Sequence, residues 1–195
     1  MTAPGMNTAR RTLWLQRHAP VVAEPGLCYG ATNLQAHAQG TRDAAQRIAP
    51  LLPAGLVLLS SPLRRCAELA DAIVALRPDL QLRHDARLAE MDFGAWEGRP
   101  WADIPREDFE AWTADFADAP AGAHGESVRD FMGRVAAVHD EWQAGEGDAL
   151  WVTHAGVLRA VTLLQRGMRC VQTAADWPVG ELAFGGWLTF ERSPG

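Results

Sequence analysis

The sequence predicts an α/β domain built on a mainly parallel sheet, and three observations carry that expectation. Short apolar runs at 12–16, 56–59 and 149–153 have the length and composition of strands buried on both faces. Stretches with helical spacing separate and follow them, the alternation that a parallel sheet requires. Each run then stops abruptly at polar residues: Arg17-His18, Ser60-Ser61 and His154. In such sheets ligands bind beyond the carboxyl ends of the strands, so three separate segments can deliver polar groups to one rim.

The elements follow in order. Thr12–Gln16 reads as the first strand, and after Pro20 a loop rich in Pro and Gly runs to near Leu34. Gln39–Leu52 has helical spacing, with Ala44, Ile48 and Leu51 on one side, and Pro53 and Gly55 end it. Leu56–Leu59 is the second strand. Ser60-Ser61-Pro62 opens a helix to Leu76, with Ser near the cap and Pro in the first turn. A mixed stretch through Leu82 and Leu88 leads to Glu90-Met91-Asp92-Phe93-Gly94. The segment 100–120, rich in Trp and acids, reads as a short helix or an excursion. Ser127 caps a helix that runs to near Trp142, with Asp130 three residues on as a variant of the capping box. Ala149–Thr153 is the third strand, Val157–Gln165 a helix and Gly186–Glu191 a last strand.

Composition bounds the function. The 195 residues are expected to form one domain, 1–195, with the polar residues 1–10 as a flexible tail. A net charge of −6 speaks against nucleic acid and anionic membrane as partners, so an anionic ligand needs a local cluster of positive groups. All 18 basic residues are arginine, which excludes a Schiff-base lysine and a Walker-type phosphate loop. Cys28, Cys66 and Cys170 are odd in number and widely spaced, unlike a disulfide framework or a zinc ribbon. The N-terminus lacks an apolar signal core and no apolar run approaches the roughly 20 residues of a membrane helix, so a soluble cytoplasmic protein is expected.

Two histidines, at least two arginines and a carboxylate at one rim suit a phosphoryl group. A guanidinium matches two phosphate oxygens at once, an imidazole nitrogen can act as nucleophile, and a carboxylic acid can protonate the leaving alkoxide. No His-Glu-x-x-His supports a metal hydrolase and no Gly-x-Ser-x-Gly supports a serine hydrolase. The expected ligand is a small phosphate ester, with no cofactor and no metal, and a homodimer is kept as an assembly to test.

The ordered set LWLQRHA, SSPLRRCAELA, LAEMDFGAWEG, GESVRDFMGRV and WVTHAGVLRA resembles the histidine phosphatase superfamily, which includes phosphoglycerate mutases. The resemblance implies a three-layer α/β/α sandwich with a mainly parallel central sheet. It implies His18 as the nucleophile that becomes phosphohistidine, with Arg17 and Arg65 gripping the phosphoryl oxygens. It implies His154 as a transition-state stabiliser and Glu90 as proton donor and then base, with no metal. The loop RHAPVVAEPGLCYGATNL is similar to the α-ribazole-5′-phosphate phosphatase group of cobalamin nucleotide-loop assembly, although Asn33 stands where that group commonly has Asp. Ala19-Pro20 in place of Gly-Glu counts against a mutase. A mutase would also need a second anion site, and no further basic cluster stands out in the sequence. A non-catalytic phosphate-binding module is the third reading. After Gly167 nothing is carried over.

Each assignment has a rival. Arg65 competes with Arg64, which points about 100° away on a helix, and Glu90 competes with Asp92 and Glu97. Gln16, Tyr29, Gly30, Ser61 and Ala155 are weaker candidates for the pocket wall. Cys66, after two arginines, sits where a thiol pKa is expected to fall, and is still read as non-catalytic. Trp96, Trp101 and Trp112 are read first as packing residues, with an aromatic lid over a nucleobase-like ring as the alternative. His37, His84, His124 and His139 are read as structural or surface residues.

Overall fold

The computed structural model describes residues 11–180 and 182–192, so the expectation for residues 1–10 lies outside the described part. The elements are β1 (Arg11–Arg17), α1 (Ala38–Ile48), β2 (Val57–Ser60), α2 (Arg64–Leu76), β3 (Gln81–His84), α3 (Arg106–Ala114), α4 (Val128–Ala144), β4 (Ala149–Thr153), α5 (Ala155–Gln165) and β5 (Trp187–Arg192). They build a five-stranded sheet in the order β3-β2-β4-β1-β5, in which β1 to β4 run parallel and β5 runs antiparallel to β1.

Strand alternation divides the core into two. On β4, every residue of which is buried, Ala149 and Trp151 face one apolar cluster and Leu150 and Val152 the other. The first cluster is completed by Phe131, Met132 and Val135 of α4 and Val157 and Val161 of α5. The second is completed by Ala44 and Ile48 of α1 and Cys66, Leu69 and Ile73 of α2. The result is the three-layer α/β/α sandwich with a mainly parallel sheet. Ser127 accepts the Asp130 N–H and donates to the Asp130 carboxylate, closing the N-terminus of α4 as expected. Such a cap contributes about 1 kcal/mol.

Four local expectations need correction. Strand β3 does not show in the sequence because Gln81-Leu82-Arg83-His84 is an edge strand with three exposed residues and so carries no apolar run. Leu51 is 54% exposed, not part of the buried side of α1. The α-helix ends at Ile48, and the 3-10 turn Ala49–Leu51, with Pro50 in it, turns Leu51 outward. Helix α2 begins at Arg64, so neither Ser60 nor Pro62 occupies the position expected for it. Its free Arg64 N–H is capped instead by Oδ1 of Asn33, at 2.6 Å, from a distant loop. Finally, α5 begins at Ala155, two residues before the expected start, directly after His154.

Candidate active site

The site lies where β2, β4 and β1, neighbours in the sheet, end together. The His18 N–H donates to the Thr153 carbonyl at 3.0 Å and the Ser61 N–H to the Val152 carbonyl at 3.0 Å, so the sheet ladder extends into the site and fixes its backbone. A cavity of about 280 Å³ opens above, lined by Arg17, His18, Tyr29, Arg65, Glu90 and Ala155, with Phe93, Trp101 and Phe184 among its further walls.

His18 is almost fully buried, and its Nδ1 lies 2.7 Å from its neighbour's carbonyl oxygen, that of Ala19. A carbonyl can only accept, so Nδ1 carries the proton and Nε2 keeps its lone pair. Burial first, then the positive charges of Arg65 and Arg17, lower the His18 pKa to about 3, against a smaller opposing effect of the Ala19 carbonyl. The ring is therefore a neutral imidazole at any ordinary pH, the form a nucleophile needs.

Arg65 is fully buried at the floor of the cavity. Its Nη1 and Nη2 donate to the carbonyls of Thr32 and Gly30, each at 2.7 Å, and its Nε donates to Nδ1 of His154 at 3.2 Å. These bonds use three of five N–H groups and leave one on each terminal nitrogen, a two-pronged donor for phosphoryl oxygens. Arg64 resolves the rivalry by pointing outward to Glu68. Arg17 donates from Nη1 to the Leu182 carbonyl at 2.8 Å and lies 3.7 Å over the Phe184 ring.

His154 is fully buried below the cavity, its ring 5.2 Å from that of His18. Because Nδ1 accepts from Arg65, Nε2 carries the proton and donates to the Ser61 hydroxyl at 2.8 Å. Burial and the Arg65 charge push its pKa well below the ordinary histidine value. Cys66 Sγ lies 3.4 Å from the same Nε2, and burial pushes its thiol up, outweighing the Arg65 charge that was expected to lower it. Burial likewise pushes Cys28 up to about 12.

Glu90 is the carboxylate that reaches the cavity. Its Oε2 accepts the Gly156 N–H at 3.0 Å at the start of α5 and its Oε1 the Met91 N–H at 3.1 Å. Arg134 holds the segment from behind, donating to the carbonyls of Arg87, Ala89 and Glu90 while paired with Glu126 at 2.7 Å. The rivals do other work. Asp92 accepts the Gly94 N–H, and Glu97 accepts the N–H groups of Gly30, Ala31, Thr32 and Phe93.

The structure gathers His18, Arg17, Arg65, Glu90, Tyr29 and Ala155 around the cavity and sets His154 and Ser61 beneath it. Gln16 is not a wall residue: its Nε2 faces the Ala44 and Gly185 carbonyls, on the α1 side of the sheet. Gly30 supports Arg65 through its carbonyl, where a Cβ would lie 1.7 Å from the Met91 carbonyl oxygen. Of the three tryptophans, only Trp101 borders this cavity, while Trp96 is core. His37, His84 and His124 are exposed, and His139 packs against Gln143 and Gln165. Sequence reasoning missed Arg134, Gly156 and Phe184. A glycine just after a strand-end histidine was the available signal for Gly156; Phe184 gave none. A second basic cluster also exists, because folding brings Arg17, Arg159 and Arg166 around a cavity of about 460 Å³ beside the first.

A neutral imidazole, two guanidiniums and a carboxyl group around one cavity at the rim of an α/β sheet suit phosphoryl transfer. The profile of the histidine phosphatase superfamily (branch 1) matches residues 13–176, and the chain belongs to that superfamily. A bifunctional protein of Mycobacterium tuberculosis is 35% identical over 144 residues, which are 69% of this chain and 38% of that protein. The chain thus spans well under half the length of the curated relatives it matches. Among solved structures, a mycobacterial glucosyl-3-phosphoglycerate phosphatase superposes with a TM-score of 0.76 at 25% identity, covering 94% of this chain and 91% of that one. An Escherichia coli protein assigned as a candidate α-ribazole-5′-phosphate phosphatase superposes with a TM-score of 0.76 at 29% identity, covering 93% and 90%. Among the described residues no helix is long and apolar enough to cross a membrane.

Proposed function

We propose that the protein is a metal-independent phosphatase of small phosphate monoesters that works through a phosphohistidine on His18. The observation that carries this reading is the Nδ1–H bond from His18 to the Ala19 carbonyl, which leaves the Nε2 lone pair available at a cavity lined by Arg17, Arg65 and Glu90. Nε2 attacks phosphorus as the ester P–O bond breaks, and the leaving alkoxide takes a proton from the Glu90 carboxyl. Water then attacks the phosphohistidine, giving its proton back to Glu90 and releasing inorganic phosphate and neutral His18. Arg17 and Arg65 neutralise the equatorial oxygens in both steps, and His154 fixes Arg65 through Nδ1.

Resemblance of the 17–34 loop and the Escherichia coli structural neighbour both favour α-ribazole 5′-phosphate as the first substrate to try. A mutase is the second reading, favoured by the cavity that Arg17, Arg159 and Arg166 border, which could seat a second anion. The deciding experiment measures phosphate release in EDTA from α-ribazole 5′-phosphate, nucleotides, sugar phosphates and 3-phosphoglycerate, with wild type and His18→Ala. Hydrolysis that survives chelation and vanishes in the variant supports the phosphatase. Interconversion of 2- and 3-phosphoglycerate without net release supports the mutase.

A further inference from the structure

The phosphoryl cavity has a neighbour. Glu90 and Phe93 border both it and a second cavity of about 270 Å³, walled by Phe109, Trp112, Phe116, Phe131 and Trp177. These rings brace one another edge to face: Trp112 and Phe116 lie 5.0 Å apart at 62°, and Phe116 and Trp177 lie 6.1 Å apart at 70°. The charged residues on the lining are Glu90 and Arg159.

We propose that this second cavity receives the leaving alcohol, and that the preferred substrate is a phosphate monoester whose alcohol carries a flat aromatic or heteroaromatic ring on a short linker. The inference rests on the phosphatase reading and names the substrate class of the same site. A group that protonates the leaving oxygen must stand between phosphorus and the departing alcohol. Glu90 is the carboxylate shared by the two cavities, so the alcohol of an ester bound at His18 extends past Glu90 into the aromatic one. Its rings favour a ring over a polyol. A ring removes apolar area from water and adds edge-to-face contacts, whereas sugar or glycerol hydroxyls would leave water for walls that return few hydrogen bonds. The volume is near the lower end of small-molecule pockets and fits one fused ring, not a polymer.

The test compares naphthylethyl phosphate with ethyl phosphate and glycerol phosphate. These are alkyl esters, so differences in chemical reactivity are small beside differences in fit. It also uses phosphate-free naphthylethanol as a probe, followed by competition and by quenching of tryptophan fluorescence. The expected result is a kcat/KM for naphthylethyl phosphate about tenfold or more above the other two esters. Naphthylethanol should bind, and the ratio should fall toward one in Trp112→Ala. Naphthylethanol binding to the wild type needs no variant and covers a failure of Trp112→Ala to fold. Equal kcat/KM for all three esters, with no binding of naphthylethanol, overturns the inference and leaves the phosphatase reading standing. No hydrolysis of any ester, with naphthylethanol still bound by the wild type and not by Trp112→Ala, overturns the phosphatase reading and supports the ring preference.

Discussion

Glu90 and Gly156 are matched by shape. The Gly156 N–H meets Glu90 Oε2 at 3.0 Å, and a Cβ at position 156 would lie 2.2 Å from Glu90 Oε1. Only glycine lets the carboxylate sit on the first turn of α5. Gly156→Ala is therefore expected to displace Glu90 without touching the nucleophile. An ordinary alkyl phosphate needs its leaving group protonated, while an activated aryl phosphate does not. Gly156→Ala and Glu90→Gln should both lower kcat on an alkyl ester by about 10² to 10⁴, and on the aryl ester far less. Equal losses on both esters, in steady-state kinetics, would show that Glu90 is not the acid.

Arg65 is held by three bonds that a lysine cannot reproduce, to Thr32, Gly30 and His154. Arg65→Lys keeps the charge but loses the fork. The expected outcome is at least about tenfold weaker binding of inorganic phosphate or vanadate by calorimetry, of the order of one good charged hydrogen bond. His154→Gln should weaken anion binding less, since it removes the Nε partner and leaves the two carbonyl anchors. Unchanged affinity in Arg65→Lys would mean that Arg65 is a structural brace and Arg17 the anion ligand.

What the sequence made legible was whatever repeats along one element. The apolar runs of β1, β2 and β4 showed because those strands are buried on both faces, and the polar residues after them marked the rim. Strand β3 was hidden because an exposed edge needs no apolar pattern. Contacts made across the chain were hidden too. Nothing local tells that Gln16 turns to the α1 side, that Phe184 lies against His18, or that Arg17, Arg159 and Arg166 share a cavity. The Glu90, Asp92 and Glu97 ambiguity is of the same kind. All three are acidic and close in sequence, and only the backbone they meet separates a pocket group from two loop braces.

Glu97 makes that difference measurable. Its carboxylate accepts four backbone N–H groups, three from the 30–32 loop whose carbonyls hold Arg65. Glu97→Ala leaves those donors unpaired and is expected to cost roughly 2–3 kcal/mol in a urea melt, the range for hydrogen bonds to a charged group. Phosphate affinity should fall with it, because the Gly30 and Thr32 carbonyls lose their anchor. A melt unchanged from wild type would remove the brace from the account.

The buried histidines set an acid limit on stability. His18 is lowered to about 3 and His154 and His139 are also lowered, burial being the largest cause for each. In the unfolded chain these rings bind protons near pH 6.5, and in the folded chain burial disfavours the charged form, so unfolding takes up protons and stability falls as pH drops below about 6.5. Above that value they add no slope. For His18 the loss is on the order of 2 kcal/mol at pH 5, and His154 and His139 add to it in the same direction. Asp79, Asp85, Asp118 and Asp140 are lowered by their arginine partners, so the stability they contribute is present above the ordinary carboxylate range and is lost only as pH falls below it. Urea midpoints should therefore fall already between pH 7 and pH 5, before the carboxylates titrate. His139→Gln, which changes a ring packed against Gln143 and Gln165 away from the site, should recover part of that loss. A midpoint that does not move between pH 7 and pH 5 would mean that the rings take up protons in the folded state. His18 would then be an imidazolium at mild acidity, with no lone pair to attack phosphorus.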